Sequence, residues 1–137
     1  MDLVLPHLAI GGYEEARTLP RGAEALLCVA AERAVTAPDR PWHQVPMRDM
    51  QPIPPAQLLA AVMWIRREIP RRRVLVFCNA GVGRSPSTVI AYLCCFERFD
   101  FGLAVEYVAE KKPYSSILPL LRPTIAEARA LLRRYGP

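Results

Sequence analysis

Lysine is almost missing from this chain. Of its 18 basic residues only Lys111 and Lys112 are lysines, and the rest are arginines. The formal net charge is +5, which suits an anionic partner without separating nucleic acid from phosphorylated protein or phosphorylated small molecules. Histidine is scarce too: His7 and His43 stand at no metal-ligand spacing from the four cysteines, Cys28, Cys78, Cys94 and Cys95. With no C-x-x-C pair either, the sequence lacks the ordinary zinc patterns, and no metal or other cofactor is expected. No apolar run reaches the roughly 18–20 residues that span a bilayer, so no membrane insertion is expected. Internal repeats and linker-like stretches are absent. The opening "MDLVLPHLAIGG" begins with an acid, lacks a basic region and carries Pro6. It reads as folded chain rather than a signal peptide, and the expectation is a cytoplasmic protein.

The 137 residues are 52% hydrophobic and 23% charged, which points to one globular domain, 1–137, with a real core. A core of that size needs no disulfide framework, so the cysteines read as buried thiols plus at most one reactive one. Residues 7–12, "HLAIGG", read as a strand ending in a glycine turn, and 13–18 as one or two helical turns before Pro20. The compact apolar run 23–30 fits a strand buried on both faces. A third strand is expected within 42–47, followed by a proline-rich loop, 48–55. Pro55 opens a helix in which Leu58, Val62, Ile65 and Ile69 recur at helical spacing, and Pro70 stops it. "VLVFC", 74–78, is the most strand-like run. A helix is expected from about Ser85 to Arg98, another over 101–111 capped by Asp100, and a last one following Pro123. Its apolar stripe would be Ile125, Ala128, Leu131, Leu132 and Tyr135. The alternation implies an α/β fold: a central, mostly parallel sheet of four to five strands flanked by helices, with ligands beyond the carboxyl ends of the strands.

At that edge stands "VLVFCNAGVGRSPST", 74–88. Arg84 follows Cys78 by six positions, with Gly81 and Gly83 between. Glycines let successive backbone N–H groups turn inward, and such a ring above a helix N-terminus binds a phosphate-sized anion. An arginine fork adds bidentate contacts to phosphate oxygens. The same field favours the thiolate of a cysteine at the floor of the cradle. The alternative is a strand–turn–helix that happens to end its strand on a small buried Cys.

"VFCNAGVGRS" resembles the signature loop of the cysteine-dependent protein tyrosine phosphatase superfamily, and most of the chain is similar to the small dual-specificity phosphatases. The resemblance runs from "HLAIGGYEEA" through "RSPSTVIAYL" to "VAEKKPYSS". It implies that Cys78 is the nucleophile and that Arg84 binds the phosphoryl group and stabilises the transition state. Ser85 would hydrogen-bond the Cys78 sulfur. The backbone of Asn79, Ala80, Gly81, Val82 and Gly83 would line the phosphate loop. The general acid should come from an upstream loop. Asp49, 29 residues before Cys78, fits, and Asp39 is its rival. Phe77 departs from the pattern, because the family usually carries His there to order the loop.

The resemblance implies a metal-independent phosphatase acting through a phosphocysteine on phosphotyrosine and on phosphoserine or phosphothreonine. As a monomer it would take a phosphorylated protein or small molecule as partner, with no specific nucleic-acid binding. Phosphoinositides, nucleotides or RNA 5′ phosphates are alternative substrates, although the loop lacks the lysines common in phosphoinositide-type members. A phosphate-binding module without turnover and a sulfurtransferase are the remaining alternatives. Cys94 and Cys95 read as packed helical thiols, with a regulatory disulfide to Cys78 as the other possibility. The cluster Arg66, Arg67, Arg71, Arg72 and Arg73 reads as a solvated helix end that could also attract acidic substrates.

Overall fold

The computed structural model describes residues 1–135. Five strands form one sheet in the order β1-β2-β5-β3-β4. They are β1 (Asp2–Leu5), β2 (Leu8–Gly12), β3 (Ala25–Cys28), β4 (Trp42–Gln44) and β5 (Val74–Cys78). Only β1 pairs antiparallel; β2, β5, β3 and β4 run parallel. The helices are α1 (Tyr13–Ala16), α2 (Pro55–Glu68), α3 (Arg84–Phe96), α4 (Phe101–Lys111) and α5 (Leu121–Tyr135). The expected fold class is therefore the observed one.

Central position explains the composition of β5. It lies between β2 and β3, all five of its residues are buried, and it is apolar throughout, as a parallel strand covered on both faces must be. Helices α1 and α3 pack against it, α2 packs on α3 and α5, and α4 packs on α3 and β1. Leu58, Val62 and Ile65 of α2 and Val89, Tyr92 and Leu93 of α3 are buried, as their spacing predicts. Asp100 caps α4 by accepting a 2.8 Å hydrogen bond from Leu103 N–H. No helix among the described residues is long and apolar enough to cross a membrane.

Several expectations need correction. The strand β1 was not foreseen: it is a short edge strand whose register shifts between Leu3 and Leu5. The third strand is regular only over Trp42–Gln44, because Pro46 cannot donate to the ladder. Pairing nonetheless resumes on both sides of it, with Val45 N–H donating to Cys28 O and Ala31 N–H to Met47 O. Helix α5 begins at Leu121, two residues before Pro123, since a proline is tolerated within the first turn. Ile125 and Ala128 are buried on its stripe, but Tyr135 is 77% exposed and does not continue it.

Candidate active site

The carboxyl end of β5 runs straight into the loop 79–83 and the first turn of α3. The loop folds back on the strand end: Gly81 N–H points at Cys78 Sγ, 3.3 Å away, and Ser85 Oγ lies 3.3 Å from the same sulfur. Cys78 is buried. Gly81 has φ +76°, and a Cβ there would stand 2.8 Å from Gly11 O. The loop therefore requires glycine both for its backbone conformation and for its close approach to β2.

The end of β2 is what shapes the loop. Gly11 and Gly12 pair with Phe77 and Cys78. Tyr13 N–H donates to Asn79 O at 3.0 Å. A Cβ on Gly12 would reach 3.0 Å from that same oxygen. Arg33 Nε donates to Asn79 Oδ1 at 2.9 Å while its guanidinium lies 4.3 Å over the Tyr13 ring. Phe77 is fully buried in the sheet, with its carbonyl accepting from Val29 N–H. The loop thus closes through β2 and Arg33 rather than through an imidazole.

Arg84 is only 1% exposed. Its two terminal nitrogens donate to Glu32 at 2.5 and 2.6 Å, and one also donates to Met47 O at 3.1 Å. This bidentate bond from Arg84 is the main reason that the Glu32 carboxyl is lowered to about 2. Arg84 itself is pushed up, chiefly by the same bond. Its Nε is buried without a hydrogen-bond partner. The nearest carboxylate is Asp49, whose Oδ1 lies 3.8 Å from that Nε and accepts from Met50 N–H at 3.0 Å.

A cleft of about 480 Å³ brings these groups together, with Asp49, Cys78 and Arg84 among its walls. Ala80, Val82 and Gly83 line it on the loop side, and Ser116 to Pro119 on the other. That second wall is tied down. Ser116 N–H donates to Val82 O at 2.7 Å, and Leu118 N–H donates to Ser87 Oγ at 3.0 Å. Asp39 is elsewhere: it pairs with Arg40, which also donates to Pro20 O and Ala23 O. Cys94 and Cys95 are free thiols late in α3, both pushed up by burial, Cys94 to about 11. Ten residues of helix from Arg84 to Cys94 span about 15 Å, too far for a bond to Cys78, since a disulfide needs Cα atoms within about 7 Å. Among the described residues no group of three His, Cys, Asp or Glu could hold a metal ion.

Glu32, Arg33 and the 116–119 wall did not emerge from the sequence. Glu32 is 52 positions from Arg84, so no spacing rule links them. One signal existed: an acid just past the carboxyl end of the strand beside β5 faces the crevice of a parallel sheet.

The fold and this strand–loop–helix define the class: a cysteine-dependent phosphatase of the protein tyrosine phosphatase superfamily. The family model described as "Dual specificity phosphatase, catalytic domain" matches residues 28–123. The chain belongs to that family, and the domain is a phosphatase of the dual-specificity type. No curated protein matches it in sequence. Among solved structures it is similar to human DUSP28, at 22% identity and TM-score 0.75, covering 98% of this chain and 99% of that one. The human tyrosine phosphatase-like serine/threonine/tyrosine-interacting protein is 20% identical with TM-score 0.83, covering 97% of each. A leucine rich repeat and phosphatase domain containing protein from Entamoeba histolytica is 17% identical with TM-score 0.79, covering 99% of this chain and 94% of that one. At these identities the structures show a shared fold.

Proposed function

We propose that the chain hydrolyses phosphotyrosine, and phosphoserine or phosphothreonine where they reach the floor of the cleft, through a phosphocysteine. The observation that carries this reading is the meeting of Cys78, Arg84 and Asp49 in one cleft, although Asp49 comes from a different loop. The N–H groups of Asn79 to Gly83 and the unpartnered Arg84 Nε are the donors for the phosphoryl oxygens. Cys78 Sγ attacks phosphorus, the P–S bond forms, and the P–O bond to the leaving group breaks. The Asp49 carboxyl gives that oxygen its proton. Asp49, now a carboxylate, then takes a proton from water as the water oxygen attacks phosphorus. The P–S bond breaks, inorganic phosphate is released, and Ser85 Oγ donates a hydrogen bond to the departing sulfur. Each step draws on side chains already present, without a metal.

Glu32 holds the Arg84 fork in plane but does not touch the reacting atoms. The test is release of p-nitrophenol from its phosphate ester. The wild-type chain should turn it over, and Cys78→Ser should not, while still binding inorganic phosphate or vanadate. Turnover by Cys78→Ser near the wild-type rate would sink the mechanism, and absence of turnover by the wild type would make the chain a binding module.

A further inference from the structure

The mouth of the cleft is apolar well beyond what one phosphorylated ring needs. Val82 and Ile117 line it and are each 44% exposed; Met50 lines it and is 80% exposed. Three of the ten large hydrophobic side chains exposed among the described residues, Met50, Val82 and Ile117, share this one wall, and such a cluster marks an interaction site.

The rim is built rather than loose. Ile117 sits between two anchored neighbours, since Ser116 N–H is held by Val82 O and Leu118 N–H by Ser87 Oγ. Met50, on the cleft wall, has φ of 60°. Bulky residues rarely adopt that region, and where they do the strain tends to sit at binding sites.

Charge decides what the rim would receive. Among the described residues, Arg84 is the only cation on the cleft wall and Asp49 the only anion. Arg33, beside the loop, is engaged by Asn79 Oδ1 at 2.9 Å and by the Tyr13 ring at 4.3 Å. A multiply phosphorylated ligand such as an inositol phosphate or a nucleotide would find one phosphate site on this wall, because neither Arg33 nor Arg48 lines the cleft. A polypeptide with one phosphorylated side chain and apolar neighbours matches both the single anion site and the apolar rim.

We infer that this site selects phosphotyrosyl segments with bulky apolar residues next to the phosphotyrosine, seated on Met50, Val82 and Ile117. The inference rests on the cleft being a phosphoryl site, as argued above, and its test does not depend on turnover. Matched phosphotyrosyl peptides flanked by leucine, serine or aspartate are titrated against Cys78→Ser, which keeps the cradle. Partial burial of one such side chain corresponds to roughly tenfold in affinity, so the leucine peptide should bind about tenfold tighter than the serine peptide, and the aspartate peptide weakest. In Met50→Ser/Ile117→Ser on the same background the leucine advantage should shrink severalfold. Separately, p-nitrophenyl phosphate turnover by the wild type decides the catalytic reading, because that ester has no flanks. Equal binding of the three peptides, a preference for the aspartate peptide, tighter binding of an inositol phosphate than of the leucine peptide, or a leucine advantage that survives the double substitution would each overturn the inference.

Discussion

At the carboxyl end of β5 a single arginine, Arg84, is sealed from solvent and gripped by Glu32 and Met47 O, whereas at the amino end Arg71, Arg72 and Arg73 follow the last turn of α2 and keep partial or full exposure. The amino-end arginines share what is available. Arg72 and Arg67 both reach Glu68, and Arg73 Nε donates to Pro6 O. A buried charge that lacks fixed partners destabilises the fold strongly, so Arg84 requires a bidentate carboxylate and a carbonyl. Exposed arginines are screened by water and salt, and their pairs contribute little. The same residue type is therefore an oriented device at one end of the sheet and a solvated surface at the other.

Substitutions should separate the two ends sharply. Arg84→Ala removes the cation of the cleft wall and should lower turnover by about 10³-fold or more. Turnover within tenfold of wild type would dissolve the contrast. Asp49→Asn should cost about 10²–10⁴-fold on a tyrosyl phosphate. It should cost far less on p-nitrophenyl phosphate, whose leaving group needs no proton. The same pattern from Asp39→Asn, at the Arg40 site, would move the acid to the wrong end of the sheet.

Glu32→Gln tests the grip on Arg84 and comes next in size. Half of the Glu32 side chain is exposed, so the loss in stability at neutral pH should be about 1–2 kcal/mol rather than the full cost of breaking a buried pair. Its carboxyl sits at about 2 in the folded chain, lowered first by the Arg84 hydrogen bond, against about 4.3 when unfolded. A lowered folded value means that the contribution is complete above the unfolded value and is lost as pH falls toward the folded one. The stability gap between wild type and Glu32→Gln, read by urea unfolding, should therefore close between about pH 4.5 and 2. A gap that stays constant across that interval would show that the pair does not stabilise the fold.

The smallest effects belong to the far end. Arg98 terminates α3 with φ 62°, and Phe99 N–H reaches back to Leu93 O. This is a helix stop at which glycine is the usual residue. Arg98→Gly should raise stability by about 0.5 kcal/mol, the relief of left-handed strain less the extra flexibility of the unfolded chain. Arg71→Ser should leave thermal stability within about 0.5 kcal/mol of wild type and phosphatase activity unchanged. A loss of peptide turnover in Arg71→Ser would make the basic end a substrate contact after all.

How much could be read beforehand depended on distance along the chain. The stretch 74–88 was legible because its strand, loop and helix are contiguous, and its glycines and arginine carry their meaning in spacing alone. The sequence offers Asp49 and Asp39 as candidate acids; Asp49 lines the cleft beside Arg84, whereas Asp39 pairs with Arg40. The strand β1 was missed because four residues at an edge with a shifted register show no clear alternation. Periodicity puts Tyr135 on the apolar stripe of α5, yet its side chain is exposed, because a helical spacing by itself does not say where the packing partner ends.

The sequence by itself determined the alternation of strands and helices, the apolar centre of the sheet and the thiol–glycine–arginine loop, because these depend on residues within a few turns of one another. Tertiary structure alone decided that Gly11 lies against Gly81, that Arg33 reaches Asn79 and that Glu32 holds Arg84. It also decided that the 116–119 segment walls the cleft. Those contacts join residues 34 to 70 positions apart; the register of parallel strands brings the distant carboxyl ends to one edge, and hydrogen bonds to Val82 and Ser87 hold the 116–119 segment there.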